Sequence, residues 1–328
     1  MQPYRVTLTL PPAFLIDAVT ATMEGSPPSW LVSLAFTVGT AGALIGGLAL
    51  WSAARRRAAR AAELKESNSR VILHHFGRGT SPPCVSSSPP CLKLEAFCRL
   101  AQIPYRIETR GGPSAKGKWP WMTWRGETIA DSAFCIERLT KDLGVRLDEG
   151  LSLEQQAAAY AIRKMVEEST YWTVAYARWV EHFGVCRKQV LLESSVFMGG
   201  DLPYSVWRPL HGLLMRMAQP AIKKALHAQG FGRFDRQERQ HIIEQDLLAL
   251  ANYLGGKPFM MGDKPTTVDA CVFGELALCV WQLPGSHHEH LLTKDKRFEA
   301  LYHYTLRLKN LLFPECWPRP PKTYDPPT

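Results

Sequence analysis

The sequence predicts one membrane-spanning helix, then an α/β unit, then an all-helical domain. Three observations carry that prediction. A run of 22 residues from Trp30 to Trp51 has no charge, a strand–helix–strand pattern runs from Val71 to Glu108, and no strand pattern follows residue 130 of 328. Hydrophobic residues make up 46% of the chain, enough to build a core in about two domains of ordinary size.

The charge balance excludes one class of function. Lys and Arg number 39 against 30 Asp and Glu, a formal +9. Residues 55–70 hold six basic residues (Arg55, Arg56, Arg57, Arg60, Lys65, Arg70) against Glu63 and Glu66, so +4 of that +9 sits beside the apolar run. The remainder is spread thinly, with no nucleic-acid-binding motif, and a nucleic-acid partner is not expected. The eight cysteines (Cys84, Cys91, Cys98, Cys135, Cys186, Cys271, Cys279, Cys316) form no C-x-x-C pair and no zinc-ligand spacing. Reduced, buried thiols in the cytosol are the expectation.

Trp30–Trp51 would span about 33 Å as a helix, close to the ~30 Å of a bilayer core. A Trp stands at each end, where the interfaces lie. The run is too long and too late for a signal-peptide core, and because it has no polar face a buried core helix of the globular part is a weaker reading still. The Arg cluster after it places the C-terminal part in the cytosol. Moderate hydrophobicity with a basic C-terminal flank resembles mitochondrial outer-membrane signal anchors, and the endoplasmic reticulum or plasma membrane stays open beside that. Gly42 and Gly46 form a small-xxx-small pair that would let two helices approach, although Gly is common in membrane helices generally.

Residues 52–70, rich in Ala, Arg and Glu, read as a helical or loose linker. Val71–Phe76 is β-prone, and a Gly/Ser/Pro loop follows to Pro90. Cys91–Ala101 reads as a helix, with Ser88 as its N-cap and Pro89 and Pro90 in the first turn. Pro104–Glu108 is the second strand, closing a βαβ unit. Lys116–Trp124 leads into a third strand, Arg125-Gly126-Glu127 turns the chain, and Thr128–Ala130 is a fourth. Asp131 or Ser132 caps the helix Ala133–Leu143.

Ser152 with Gln155 is a capping-box pattern opening a long helix to about Phe183. Further helices read at about 204–228, 235–254, 267–283 and 296–312, with Gly255-Gly256 as a C-cap. Thr266-x-x-Asp269 is a second cap, its carboxylate at the third helical position. His287, His288 and His290 read as a solvated loop rather than a metal site. Residues 314–328 hold six prolines and read as a disordered tail.

The βαβ order, the Trp119-Pro120 pair before a strand, the β-turn and Asp131-Ser132 at a helix start resemble the thioredoxin-like N-terminal domain of glutathione transferases. The Gly262-Asp263-x-Pro265-Thr266 lead-in to Thr266-x-x-Asp269 resembles the N-capping motif of their all-helical C-terminal domain. The domains expected are thus 1–29 (short N-terminal segment), 30–51 (transmembrane), 52–70 (basic linker), 71–146 (thioredoxin-like), 147–313 (all-helical) and 314–328 (Pro-rich tail). The resemblance implies a cis Pro120, a γ-glutamyl site at Asp131-Ser132, ligand contact from Trp119 and Pro120, and a folding role for Thr266 and Asp269. Ser88-Pro89-Pro90-Cys91 resembles the C-P-x-C site of glutaredoxins, with Ser in the first position. That Ser88 is the one catalytic candidate, as a donor to a thiolate, although capping alone would account for it. Glutathione is the only cofactor the resemblance offers, and no metal is expected.

Ser88–Glu95, Lys116–Trp121 and Gly262–Thr266 narrow the resemblance, over 71–313, to the failed axon connections family, a metaxin-like branch of the superfamily. This implies a membrane-associated protein linked to axonal development, with metaxin relatives in mitochondrial outer-membrane import. The loop Gly77–Ser87 is longer than transferases have there and lies where glutathione would dock. A non-enzymatic scaffold is therefore the leading expectation, with a glutathione-dependent transferase or peroxidase, or an import component, as alternatives. The expected partners are the lipid bilayer through 30–51 and other proteins or a second copy of the chain.

Overall fold

The computed structural model describes residues 50–51, 54–55, 57–76, 86–109, 112–188, 204–314 and 323–326. Trp30–Trp51 thus lies outside the described residues except for its last two. Among the described residues no helix is long and apolar enough to cross a membrane. The chain divides into two compact units, 1–62 and 63–328, and the second contains the candidate site.

After helical residues 57–66 come four short strands: β1 (Val71–His74), β2 (Tyr105–Glu108), β3 (Trp121–Trp124) and β4 (Glu127–Ala130). Helix α1 (Pro89–Leu100) joins β1 to β2, and those two strands run parallel with Val71 opposite Tyr105. β3 and β4 are antiparallel additions, Leu73 pairing Met122 and Met122 pairing Ile129. β1 and β3 are buried along their whole length, so each reads as a nearly unbroken apolar run rather than an alternation. A tight turn at Arg125 and Gly126, both with positive φ (49° and 79°), joins β3 to β4.

α2 (Ser132–Leu143) starts where Asp131 accepts a hydrogen bond from Ala133 N at 2.8 Å, and stops at Gly144 in the left-handed region. α3 (Leu153–Met165) opens on the expected capping box, in which Gln155 N donates to Ser152 Oγ at 3.1 Å and Ser152 N donates to Gln155 Oε1 at 2.9 Å. The long helix expected to reach Phe183 has two π-helical turns, Val166–Thr170 and Ala177–Glu181, flanking α4 (Tyr171–Tyr176). α5 (Tyr204–Gln229), α6 (Arg236–Leu254), α7 (Thr267–Trp281), α8 (His287–Lys294) and α9 (Glu299–Leu312) follow.

α7 is the central helix, with every residue from Val268 through Val280 buried. It crosses α1 at Gly274, where a Cβ would come within 2.8 Å of Pro89 O. One core therefore runs from β1 and α1 (Val71, Leu92, Phe97) into the helices (Phe273, Leu276, Leu308).

Four expectations need correction. His287, His288 and His290 lie on α8, not in a loop, because Ser286 Oγ accepts from Glu289 N at 3.1 Å and starts a helix there. A strand does occur after residue 130: β5 (Thr323–Tyr324) pairs antiparallel with β2, giving the sheet order β4-β3-β1-β2-β5. The tail is thus ordered at 323–324, where Tyr324 stacks on Tyr105 with ring centroids 5.3 Å apart. The last helix begins at 299 rather than 296, after a 3₁₀ turn at Lys296–Phe298.

Candidate functional site

Ser88 occupies the N-cap position of α1, with extended backbone, but its side chain makes no capping hydrogen bond. The capping it was expected to provide is absent. The next two residues are Pro89 and Pro90, which have no N–H; Cys91 comes third, and Leu92 N, fourth in the helix, donates to the Ser88 carbonyl at 3.0 Å. The helix start therefore offers few free donors to a thiolate. The approach is fixed from both sides: Ser88 N donates to Ser86 Oγ at 3.2 Å, and the buried guanidinium of Arg178 donates to the Ser87 carbonyl.

The Trp119-Pro120 peptide is cis. Trp119 meets Phe76 edge to face, with centroids 5.4 Å apart, and Trp121 stacks flat on buried His74 at 3.3 Å. Asp131 has a φ of 86°, which turns the chain sharply between β4 and α2.

Ser132, the first residue of α2, is joined to α1 by Lys93, whose Nζ lies 3.4 Å from Ser132 Oγ. The same ammonium pairs with Glu167, in the first π-helical turn. Glu167 also accepts from Arg163 Nη1 at 3.3 Å. Sequence reasoning misses Lys93, Arg163, Glu167 and Arg178. The one local signal is Lys93 standing between Leu92 and Leu94 on a largely apolar helix. Neither Asp131 nor Ser132 is hydrogen-bonded to Ser88 among the described residues. Thr266 and Asp269 belong to the capping box at the start of α7, where Thr266 N donates to Asp269 Oδ2 at 2.7 Å.

The six described cysteines are buried. Burial pushes the thiols of Cys135 and Cys271 up to about 12 and those of Cys98 and Cys279 well above their ordinary value. None of these four is a ready nucleophile. Among the described residues no group of three His, Cys, Asp or Glu could hold a metal ion. A cavity of about 620 Å³ lies between Arg146–Leu151 and Met261–Thr266, and of the candidate residues only Thr266 lines it.

Comparison with known proteins matches both halves. The family model described as "Glutathione S-transferase N-terminal domain" matches residues 89–183, and that described as "Glutathione S-transferase, C-terminal domain" matches 243–308. Failed axon connections of Drosophila melanogaster is 32% identical over 248 residues, which is 74% of this chain and 55% of that protein. The chain therefore spans just over half the length of that relative. Metaxin-2 of Mus musculus is 25% identical over 71% of this chain and 85% of its own length. The isoprene-epoxide–glutathione S-transferase of Rhodococcus sp. (strain AD45) is 29% identical over 58% of this chain and 79% of its own length.

Proposed function

The chain belongs to the failed axon connections family, a metaxin-like branch of the glutathione S-transferase superfamily, and on that premise we propose that it is a membrane-anchored, non-enzymatic interaction protein. The observation that carries the non-enzymatic reading is at Ser88. A Ser-type transferase needs a hydroxyl that donates to the thiolate in a pocket rich in free N–H groups. Here the hydroxyl is followed by two residues without an N–H, so the first turn keeps only the Cys91 N–H of the donors a helix start usually offers. The anchor rests on the charge-free run Trp30–Trp51 and the arginines after it, which set the folded part on the cytosolic side. The basic flank and moderate hydrophobicity favour the mitochondrial outer membrane. A role in axon connections is carried over from the name of the Drosophila relative as part of the proposal.

Two measurements on the full chain test this reading. Carbonate extraction of cell membranes should leave the protein in the pellet, and deletion of 30–51 should release it. Calorimetry in detergent should detect no binding of millimolar glutathione. Heat that disappears in Asp131→Ala would instead support the transferase reading, which the cis Trp119-Pro120 turn and the Rhodococcus relative favour.

A further inference from the structure

A buried ammonium needs an anion, and Lys93 finds its anion 74 residues away in the helical half. Its side chain is only 4% exposed, whereas that of Glu167 is 23% exposed and reaches it from the rim. Removing an ammonium from water costs several kcal/mol unless its charge is matched nearby. Here an anion is supplied: Glu167 Oε1 accepts from Lys93, Glu167 Oε2 accepts from Arg163, and Ser132 Oγ lies 3.4 Å from the ammonium. Ser132 is also the first residue of α2, whose positive end favours an anion. Two cations thus hold one carboxylate, a hydroxyl at a helix start lies against one of those cations, and the carboxylate is the protein's own. It is carried on a π-helical turn, Val166–Thr170, the kind of local insertion that re-aims a side chain.

We infer that Glu167 is an internal substitute for a ligand carboxylate: it keeps the Lys93–Ser132 site closed to free carboxylate ligands, glutathione among them, and its removal opens the site. The inference deepens the non-enzymatic reading and rests on it. A carboxylate held on the same folded chain acts at millimolar effective concentration or above. A free ligand with the same contacts is outcompeted at ordinary concentrations.

Carboxylate rescue in the full chain, held in detergent, tests the inference. Thermal unfolding is followed for wild type, Glu167→Ala and Glu167→Gln in sodium acetate and in sodium chloride of equal ionic strength. Glu167→Ala should unfold below wild type, and acetate should return about 2–4 °C more than chloride does. Wild type should respond equally to both salts, and adding Lys93→Met to Glu167→Ala should remove the acetate effect. Should Glu167→Ala not fold, Glu167→Gln keeps the side-chain volume and leaves the ammonium without its anion, so the same acetate-specific rise is expected there. Glutathione should then give calorimetric heat with the rescued variant and none with wild type. Heat in wild type overturns the non-enzymatic reading and the inference with it. A silent wild type with no acetate-specific rise in either variant overturns the inference alone.

Discussion

The Tyr304 hydroxyl donates to Asp269 Oδ1 at 2.8 Å, which ties α9 to the first turn of α7. Asp269 is fully buried, and its other contacts are local: Met260 N donates to Oδ1 at 2.8 Å, while Thr266 N and Oγ1 donate to Oδ2 at 2.7 and 2.8 Å. Burial pushes this carboxyl up and the four hydrogen bonds pull it back. In Asp269→Ala the donors of Met260, Thr266 and Tyr304 lose their acceptor in a dry core, at about 1–3 kcal/mol each. The expected loss is about 3–5 kcal/mol by urea denaturation. Tyr304→Phe removes one donor and leaves the carboxylate its other three, so about 1 kcal/mol is expected there. An unchanged midpoint in Asp269→Ala would show that this cluster does not hold the helical half together.

Acid should destabilise the fold through His288. The ring is 1% exposed on α8, and its Nε2 lies 2.8 Å from Thr173 Oγ1. Thr173 Oγ1 already donates to the Thr170 carbonyl at 2.7 Å, so Nε2 carries the proton and Nδ1 is bare, with no partner among the described residues. Burial, then the neighbouring His287 and His182, lowers the His288 pKa from 6.5 to about 3. The unfolded chain takes up this proton near 6.5 and the folded chain only near 3. The stabilisation is therefore present above pH 6.5 and is lost as pH falls towards 3, at about 1.4 kcal/mol per unit. His288→Gln keeps an N–H for Thr173 and should remove this contribution from a series of denaturation curves, most plainly between pH 4.5 and about 3, where Glu275 no longer opposes it.

Glu275 should act in the opposite sense. It is buried on α7, and burial, with Asp246 adding and Arg178 opposing, pushes its carboxyl up from 4.5 to about 8. Between those values the folded chain holds a proton that the unfolded chain has released. Its contribution is present in full below pH 4.5 and falls away as pH rises to about 8. In wild type the two groups oppose each other between pH 4.5 and 6.5 and leave a plateau. Glu275→Gln should uncover the His288 slope there, while His288→Gln should uncover a rise towards acid pH. If neither variant changes the shape of the stability–pH curve, neither group is buried in its neutral form.

What is legible in the sequence is local. The boxes at Ser152–Gln155 and Thr266–Asp269 and the Trp119-Pro120 turn are each written within a few residues, and backbone donors can be satisfied only in a few ways at such places. The helix at His287–Lys294 carries the same kind of signal, Ser286 three residues before Glu289, but the run of polar histidines masks it. The Lys93–Glu167 pair has no such signal. Its two residues stand 74 positions apart, Lys93 on α1 where Gly274 of α7 allows a close approach and Glu167 on a π-helical turn. Ser88 shows the converse: a favourable residue at the right position that makes no capping bond.

Ser88 should therefore tolerate the loss of its hydroxyl. An N-cap Ser that bonds a helix N–H is worth about 1 kcal/mol, lost on change to Ala. With no such bond here, Ser88→Ala should change stability by less than about 0.5 kcal/mol in urea denaturation. Ser152→Ala, which removes an acceptor that Gln155 N uses, should cost about 1 kcal/mol in the same experiment. Equal losses in the two variants would mean that Ser88 caps α1 in solution.

The tail should contribute stability through Tyr324 although it adds only two residues to the sheet. Arg99 is buried on α1, with its Nε donating to Tyr105 Oη at 2.7 Å and one terminal nitrogen donating to the Leu312 carbonyl at 2.6 Å. Its guanidinium lies over two rings, 4.4 Å from the Phe313 centroid and 4.6 Å from that of Tyr324. A cation over a ring is worth about 0.5–2 kcal/mol, more where water is excluded. Tyr324→Ala removes one of these cation–ring contacts and the stack on Tyr105, so a loss of about 1–3 kcal/mol is expected. Tyr324→Phe keeps both ring contacts and should stay within about 0.5 kcal/mol of wild type. Hydrogen exchange supplies a second readout: the β2 amides that face β5 should exchange faster in Tyr324→Ala, while those of β3 keep their protection. Equal protection of β2 in both variants would show that the tail strand is not what shields this edge of the sheet.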